Sequence, residues 1–232
     1  MTQTTSIDSP PLCQVEKPKM APTKTPTNYI RIVREKGGIE DRFIVDASIN
    51  VKENVLPELD ESERASGRRN LCVKTMGDCG KIDIDVEVKD GVPNAVGRKK
   101  VAIEVEAHKA NALLRLHAPS LEARPLFRVH VTSGAGTIVV SIPRSTAGLV
   151  NITSTGRVII SDQLARETNT VNEDGCFRKL VVGPVSEWDE EDKDQFFIHA
   201  KHGRVYLRYN DELHEKPPAG LWAKALWIKS KL

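Results

Sequence analysis

Aromatic residues make up only 5% of the 232 positions. That scarcity argues against sugar-stacking clefts and single-strand nucleic-acid platforms, which need several exposed rings. An excess of one charge is also missing: 34 Lys and Arg stand against 32 Asp and Glu, a net charge of +2. So small a balance predicts no strong pull of the whole chain toward nucleic acid or anionic lipid. No apolar run nears the ~20 residues needed to span a bilayer, so integral membrane insertion is not expected. Cysteines are few. Cys13, Cys72, Cys79 and Cys176 form no C-x-x-C pair and no zinc-finger spacing, which favours reduced, packing thiols over a structural metal. With 15 Gly and 13 Pro the chain is neither collagen-like nor low-complexity.

The opening residues Met1 to Pro11 show neither a basic n-region nor an apolar h-region. No secretory leader is read there, and a cytoplasmic site is expected. Residues 1–27 are rich in Thr, Pro, Lys and Ser and lack apolar periodicity, which predicts a disordered arm. Leu56 to Arg69 reads as a long surface loop, and Glu187 to Asp194 as a solvated acidic loop.

Between these loops one unit recurs: alternating apolar residues, a short polar turn that usually carries Gly, then alternating apolar residues again. The period is two, so these are half-buried strands. The copies run from Ile30 to Val45, Leu71 to Val88, Val101 to Leu116, Phe127 to Ile142, Leu149 to Ile160 and Phe196 to Tyr209. In the third, Asn111 stands where the others have Gly, and Asn tolerates left-handed backbone better than most residues. In the fourth, Phe127, Val129, Val131, Ile138, Val140 and Ile142 share an inward face, while Arg128, His130, Thr137 and Ser141 point away. Periodicity allows a β-sandwich, in which each unit closes as an antiparallel hairpin, or a β-solenoid, in which each unit stacks on the one before. Six versions of one unit read as a repeat.

Several segments resemble an uncharacterised domain family of mushroom-forming (basidiomycete) fungi. They are Asn28-Tyr29-Ile30-Arg31-Ile32, Leu116-His117-Ala118-Pro119, Ile142-Pro143-Arg144-Ser145, Gly183-Pro184-Val185-Ser186-Glu187-Trp188, and the closing run from Gly203 to Glu212. The resemblance covers roughly Thr27 to Glu212. Turns such as Glu35-Lys36-Gly37-Gly38 and Lys201-His202-Gly203 depart from the family's usual Ser-x-Asn-Gly or Ser-x-Ser-Gly. That family is similar to adhesin-type β-solenoid repeats, which implies a solenoid or β-roll rather than a sandwich and implies no established activity.

Candidate sites are sparse. Asp83, Asp85 and Glu87 line one strand face, with Glu104 and Glu106 on another, and such carboxylates can hold Ca²⁺ or serve a glycosidase. The polar outer face of a strand is the preferred reading. His199 and His202 flank a turn without a metal-ligand motif. Ser133-Gly134-Ala135-Gly136 resembles half a phosphate loop, but strands lie on both sides, so a tight turn is expected. Trp188 is a possible ligand contact or loop anchor. Val139 and Ile159 point opposite the core, which hints at a covered outer sheet. After Pro217-Pro218, the segment from Ala219 to Leu232 has the pattern of a short basic amphipathic helix. Trp222, Lys224, Trp227, Lys229 and Lys231 are its candidates for partner or membrane contact, with capping of the fold as the competing role.

The expectation is therefore an all-β protein: an arm at 1–27, a β-repeat domain at 28–212, and a Pro-Pro linker with a short C-terminal helix at 213–232. The leading functional reading is a non-enzymatic binding or scaffolding module for a protein or glycan partner, with no catalytic residue, cofactor, metal or nucleic acid. A polysaccharide-acting enzyme on Asp83, Asp85 and Glu87 and a peripheral membrane protein are the alternatives. Oligomeric state is left open.

Overall fold

Wherever apolar and polar residues alternate, the chain is extended. The computed structural model describes residues 25–59, 61–77, 80–89, 99–120, 124–183 and 193–214. The first unit becomes β1 (Ile30–Arg34) and β2 (Ile39–Val45), and after the helix α1 (Glu61–Ser66) the second becomes β3 (Leu71–Thr75) and β4 (Ile82–Val88). Next come β5 (Lys100–Ala107) with β6 (Ala112–His117), β7 (Leu126–Ser133) with β8 (Ile138–Ile142), and β9 (Gly148–Ser154) with β10 (Val158–Ile160). A helix, α2 (Asp162–Arg166), leads into β11 (Thr168–Asp174) and β12 (Phe177–Val182), and the chain closes on β13 (Asp194–Ala200) and β14 (Val205–Tyr209).

The two strands of a unit never pair with each other. One joins an eight-stranded sheet, ordered β1-β3-β5-β7-β13-β9-β12-β11, and the other a six-stranded sheet, ordered β10-β14-β8-β6-β4-β2. Within the six-stranded sheet every pairing is parallel. Parallel pairing removes the hairpin sandwich, because strands joined by so short a turn cannot lie parallel side by side and must belong to different layers. The β-roll also needs correction. The eight-stranded sheet is mixed, since β9, β12 and β11 pair antiparallel. Moreover β13 and β14, the last of the described strands, sit between β7–β8 and β9–β10 rather than at the end of the stack.

The inward residues are those the alternation predicts: Phe127, Val129, Val131, Ile138, Val140 and Ile142 are fully buried between the sheets. Burial of so many Val, Ile and Leu side chains, each contributing about 1.5–3 kcal/mol, supplies the main driving force. Ser141 points outward yet is buried, with its hydroxyl accepting from Arg208 Nε at 3.1 Å. Val139 is likewise buried and Ile159 is half-buried on that outer face.

Glycine recurs at the turns because successive turns stack backbone on backbone. A Cβ on Gly136 would lie 1.9 Å from the Ala110 carbonyl oxygen, and one on Gly203 would lie 1.8 Å from that of Gly136. No side chain fits in either place.

What draws β13 into the middle is a buried ion pair. Asp194 opens β13 and belongs to the stretch expected to be solvated, yet it is fully buried. Its Oδ2 accepts from Arg124 Nη2 at 2.5 Å and from the Ala147 N–H at 3.0 Å, while Oδ1 accepts from Arg124 Nη1 at 2.9 Å and the Phe127 N–H at 2.8 Å. One carboxylate thus ties β13 to the segments that lead into β7 and β9. Arg124 in turn donates to the Ser145 and Pro125 carbonyls and lies over the Phe127 ring. Four donors on one carboxylate offset the cost of burying it.

Two connections also depart from expectation. The loop at 56–69 contains α1, anchored by the buried Glu63, whose carboxylate pairs with Arg31 at 3.5 Å. Thr27, the last residue of the expected arm, joins β2 through a parallel bridge to Val45. The start of α2 is set by Ser161, whose hydroxyl oxygen accepts from the Leu164 N–H, and Leu164 fixes the helix to the core. Among the described residues no helix is long and apolar enough to cross a membrane.

Candidate functional site

Asp83, Asp85 and Glu87 do share the outer face of β4, but they are committed to cations. Parallel register sets Arg42 on β2 and Arg115 on β6 opposite Asp85. Arg115 bonds Asp85 through Nε at 2.6 Å and Asp83 through Nη2 at 2.6 Å, Lys81 pairs with Asp83 at 2.5 Å, and Arg42 pairs with Glu87 at 2.6 Å. On the other sheet Lys74 bridges Glu104 at 3.0 Å and Glu106 at 3.1 Å, and Arg69 also pairs with Glu104. Partial burial of Asp85 would raise its pKa, but the hydrogen bonds from His117 and Arg115 prevail and hold it well below the usual carboxylate range. A glycosidase acid needs the opposite shift. These faces are ion-pair lattices that zip parallel strands.

At one end of the lattice lies an open cleft of about 510 Å³, lined by Asp46, Glu87, Lys89, His117 and Pro119 among others. With Asn210 Nδ2 donating to His117 Nδ1 at 3.4 Å, the imidazole Nε2–H faces Asp85 Oδ1 at 3.3 Å. Among the described residues that line the cleft none carries a hydroxyl or thiol beside this histidine–aspartate pair.

The Ser133-Gly134-Ala135-Gly136 segment is a structural turn. The buried Ser133 hydroxyl donates to the Ala110 carbonyl at 2.9 Å and accepts from the Gly136 N–H at 2.8 Å. His199 lies on β13 and His202 in the turn after it, and no group of three or more metal-ligating side chains is found among the described residues. Trp188 lies outside the described residues, as do Trp222, Lys224, Trp227, Lys229 and Lys231 with the helix expected to carry them.

The arrangement with the most chemistry to offer is on the outer face of the eight-stranded sheet. Alternation turns Phe197 and His199 of β13 outward, because Phe196, Ile198 and Ala200 take the core. Register then sets Phe197 between His130 on β7 and Asn151 on β9, and His199 between Thr132 and Thr153. β12 completes the row by placing Lys179 beside Asn151 and Phe177 beside Thr153. The small polar residues of β9 thus lie between larger side chains on both sides. The result is a groove of about 490 Å³ lined by His130, Thr132, Asn151, Thr153, Phe177, Phe197, Ile198 and His199.

One wall is fixed by stacking: the His130 and Phe197 rings lie 4.6 Å apart and 17° from parallel. Burial lowers the His130 pKa, and Arg128 lowers it further, which biases the imidazole toward its neutral form. Thr132, Asn151, Thr153 and His199 make no side-chain hydrogen bond to another described residue. The groove therefore combines two phenyl rings with unspent neutral donors and acceptors. Sequence reasoning missed it because its strands are far apart in the chain, yet one signal was present. Adjacent Phe196 and Phe197 in an alternating strand force one ring outward.

A family described as Domain of unknown function (DUF7330) matches residues 28–212. This span nearly coincides with that of the fungal resemblance, although the match itself speaks to neither source nor adhesin likeness. No curated protein matches, and no solved structure does.

Proposed function

For a chain that belongs to the DUF7330 family, we propose a non-enzymatic binding module that takes a small polar ligand on the outer face of its eight-stranded sheet. The groove over β9 carries this reading. Its polar groups are uncommitted, whereas the carboxylates that would serve catalysis are neutralised by Arg42, Lys74, Lys81 and Arg115. Open sites with convergent polar groups and apolar walls are what small ligands use.

The scaffold fits such a role. Alternation of consecutive strands between two layers supports reading the domain as a solenoid-type winding of a repeated unit, with its last described turn intercalated. Such windings present long rows of outward side chains, here from Arg31 across Cys72, Glu104, His130, Phe197 and Asn151 to Lys179. A cytoplasmic setting is part of the proposal, supported by Cys72 and Cys176 standing as free thiols.

The test is a screen of the full chain against polar metabolites, blocked peptides and saccharides, read by NMR signals of His130, Asn151, Phe197 and His199, with each hit assayed for turnover. Ligands that shift these signals and emerge unchanged support the reading. A ligand consumed by the protein, or no perturbation of the groove by any class, overturns it.

A further inference from the structure

We propose that the groove over β9 recognises an uncharged pyranoside, as a unit of a short oligosaccharide. This names the ligand class of the binding reading above and rests on it.

Three features of the groove converge on sugar. The first is a lining without charge: among the described residues that line it there is no Asp, Glu, Lys or Arg, Lys179 stands at its margin beside Asn151, and His130 is biased toward its neutral form. An uncharged ligand enters such a lining without giving up the hydration of a charge. The second is the pairing of ring faces with small polar groups. A pyranose carries apolar C–H patches flanked by a rim of hydroxyls. Phe197 and Phe177 supply apolar ring surface for the former, and Asn151, Thr132, Thr153 and His199 supply donors and acceptors for the latter.

Rigidity is the third feature. The Phe197 plane is held by the stacked His130, and the lining side chains stand on strands whose registers are fixed on both sides, so little ordering is left for the bound state. The same pairing argues against an extended peptide. Peptides gain main-chain hydrogen bonds at sheet edges, and β13, β9 and β12 are interior strands. A volume of about 490 Å³ lies within the ~300–1,000 Å³ range of small-ligand sites.

The experiment titrates the full chain with methyl pyranosides of glucose, galactose and mannose and with their neutral trisaccharides. A uronic-acid trisaccharide and a blocked tripeptide serve as comparison probes. At least one neutral saccharide should saturably shift the signals of Phe177, Phe197, Asn151 and Thr153. Phe197→Leu keeps an apolar side chain without a ring, and should weaken that binding about tenfold. Thr153→Val keeps the shape without the hydroxyl and should weaken it as well, so one variant suffices should the other fold poorly. No shift by any neutral saccharide, or unchanged affinity in the folded variants, overturns the inference. If only the tripeptide or the uronate engages the groove, the sugar assignment falls and the binding module stands. If nothing engages it, both fall.

Discussion

Arg124 and Asp194 lie 70 positions apart and meet at 2.5 Å with neither side chain exposed. Their contact joins the entry of β7 to the entry of β13 and holds the last unit inside the stack. Removing one partner leaves a buried charge unpaired, which costs about 3–5 kcal/mol, whereas replacing both with apolar residues removes that penalty. Urea denaturation of Arg124→Met should therefore show a large loss of stability. Arg124→Met with Asp194→Leu should lose much less than the sum of the single variants, and strict additivity would show that the two act independently.

Turn stacking sets the next expectation. A methyl on Gly203 would meet the Gly136 carbonyl at 1.8 Å, while one on Gly37, at φ +81°, meets nothing within 4 Å. Gly37→Ala should cost only the left-handed backbone penalty of about 1–2 kcal/mol. Gly203→Ala should cost more, because backbone must move against backbone. Equal midpoints in thermal unfolding would refute turn stacking as the reason for glycine.

Acid should loosen the lattice on the six-stranded sheet. The folded-state pKa of Asp85 is depressed, so its contribution is present above the unfolded value near 3.8 and is lost as pH falls below it. Stability measured from pH 5 downward should drop more steeply in the wild type than in Asp85→Asn. Parallel curves would remove Asp85 from the cause.

His130 carries the opposite charge logic. Its pKa is lowered from 6.5 by burial and by Arg128, so the unfolded chain binds the proton more readily and stability rises with pH through the region just below 6.5. NMR titration should place the His130 imidazole below 6.5. Phe197→Ala opens the stacked side to water and should move it upward, and an unmoved midpoint would show that the ring contributes nothing to the desolvation.

Thiol chemistry separates two cysteines. Burial, reinforced by Glu104, pushes the Cys72 thiol up to about 11, while Cys176 is exposed. Iodoacetamide at neutral pH should label Cys176 far faster than Cys72 in the folded protein, with the difference vanishing in urea. Comparable rates in the native state would contradict the burial of Cys72.

Strand positions were legible because alternation at period two depends on residues adjacent in sequence, as in Val101-Ala102-Ile103-Glu104-Val105. Strand partners were not. Whether Phe127 to Val131 faces its own turn-mate or a strand from another unit depends on contacts far along the chain, and the same alternation serves both. The β11–β12 hairpin escaped because Thr168 to Asp174 is polar and exposed along nearly its whole length, as suits the last strand of a sheet. Asp194 escaped for a related reason: amid Glu187, Asp189, Glu190, Glu191 and Asp192 it carries no mark of burial. Only its pairing with Arg124 distinguishes it. The groove was hidden by an average, since few rings in the chain do not prevent two from meeting.

The intercalated final unit has a consequence for how the protein is made. Ribosomal synthesis delivers β7 and β9 before β13 exists, so the strands that will flank it must wait with that side of their backbone unpaired until Ala200 has emerged. A nascent chain halted before Asp194 therefore holds two open β-edges facing a missing strand, a template for pairing with other chains. Nor can the stack lengthen by copying its terminal unit, because that unit already has neighbours on both sides. Among the described strands the open edges at which a unit could be added are β1 and β2 at one end and β10 and β11 at the other.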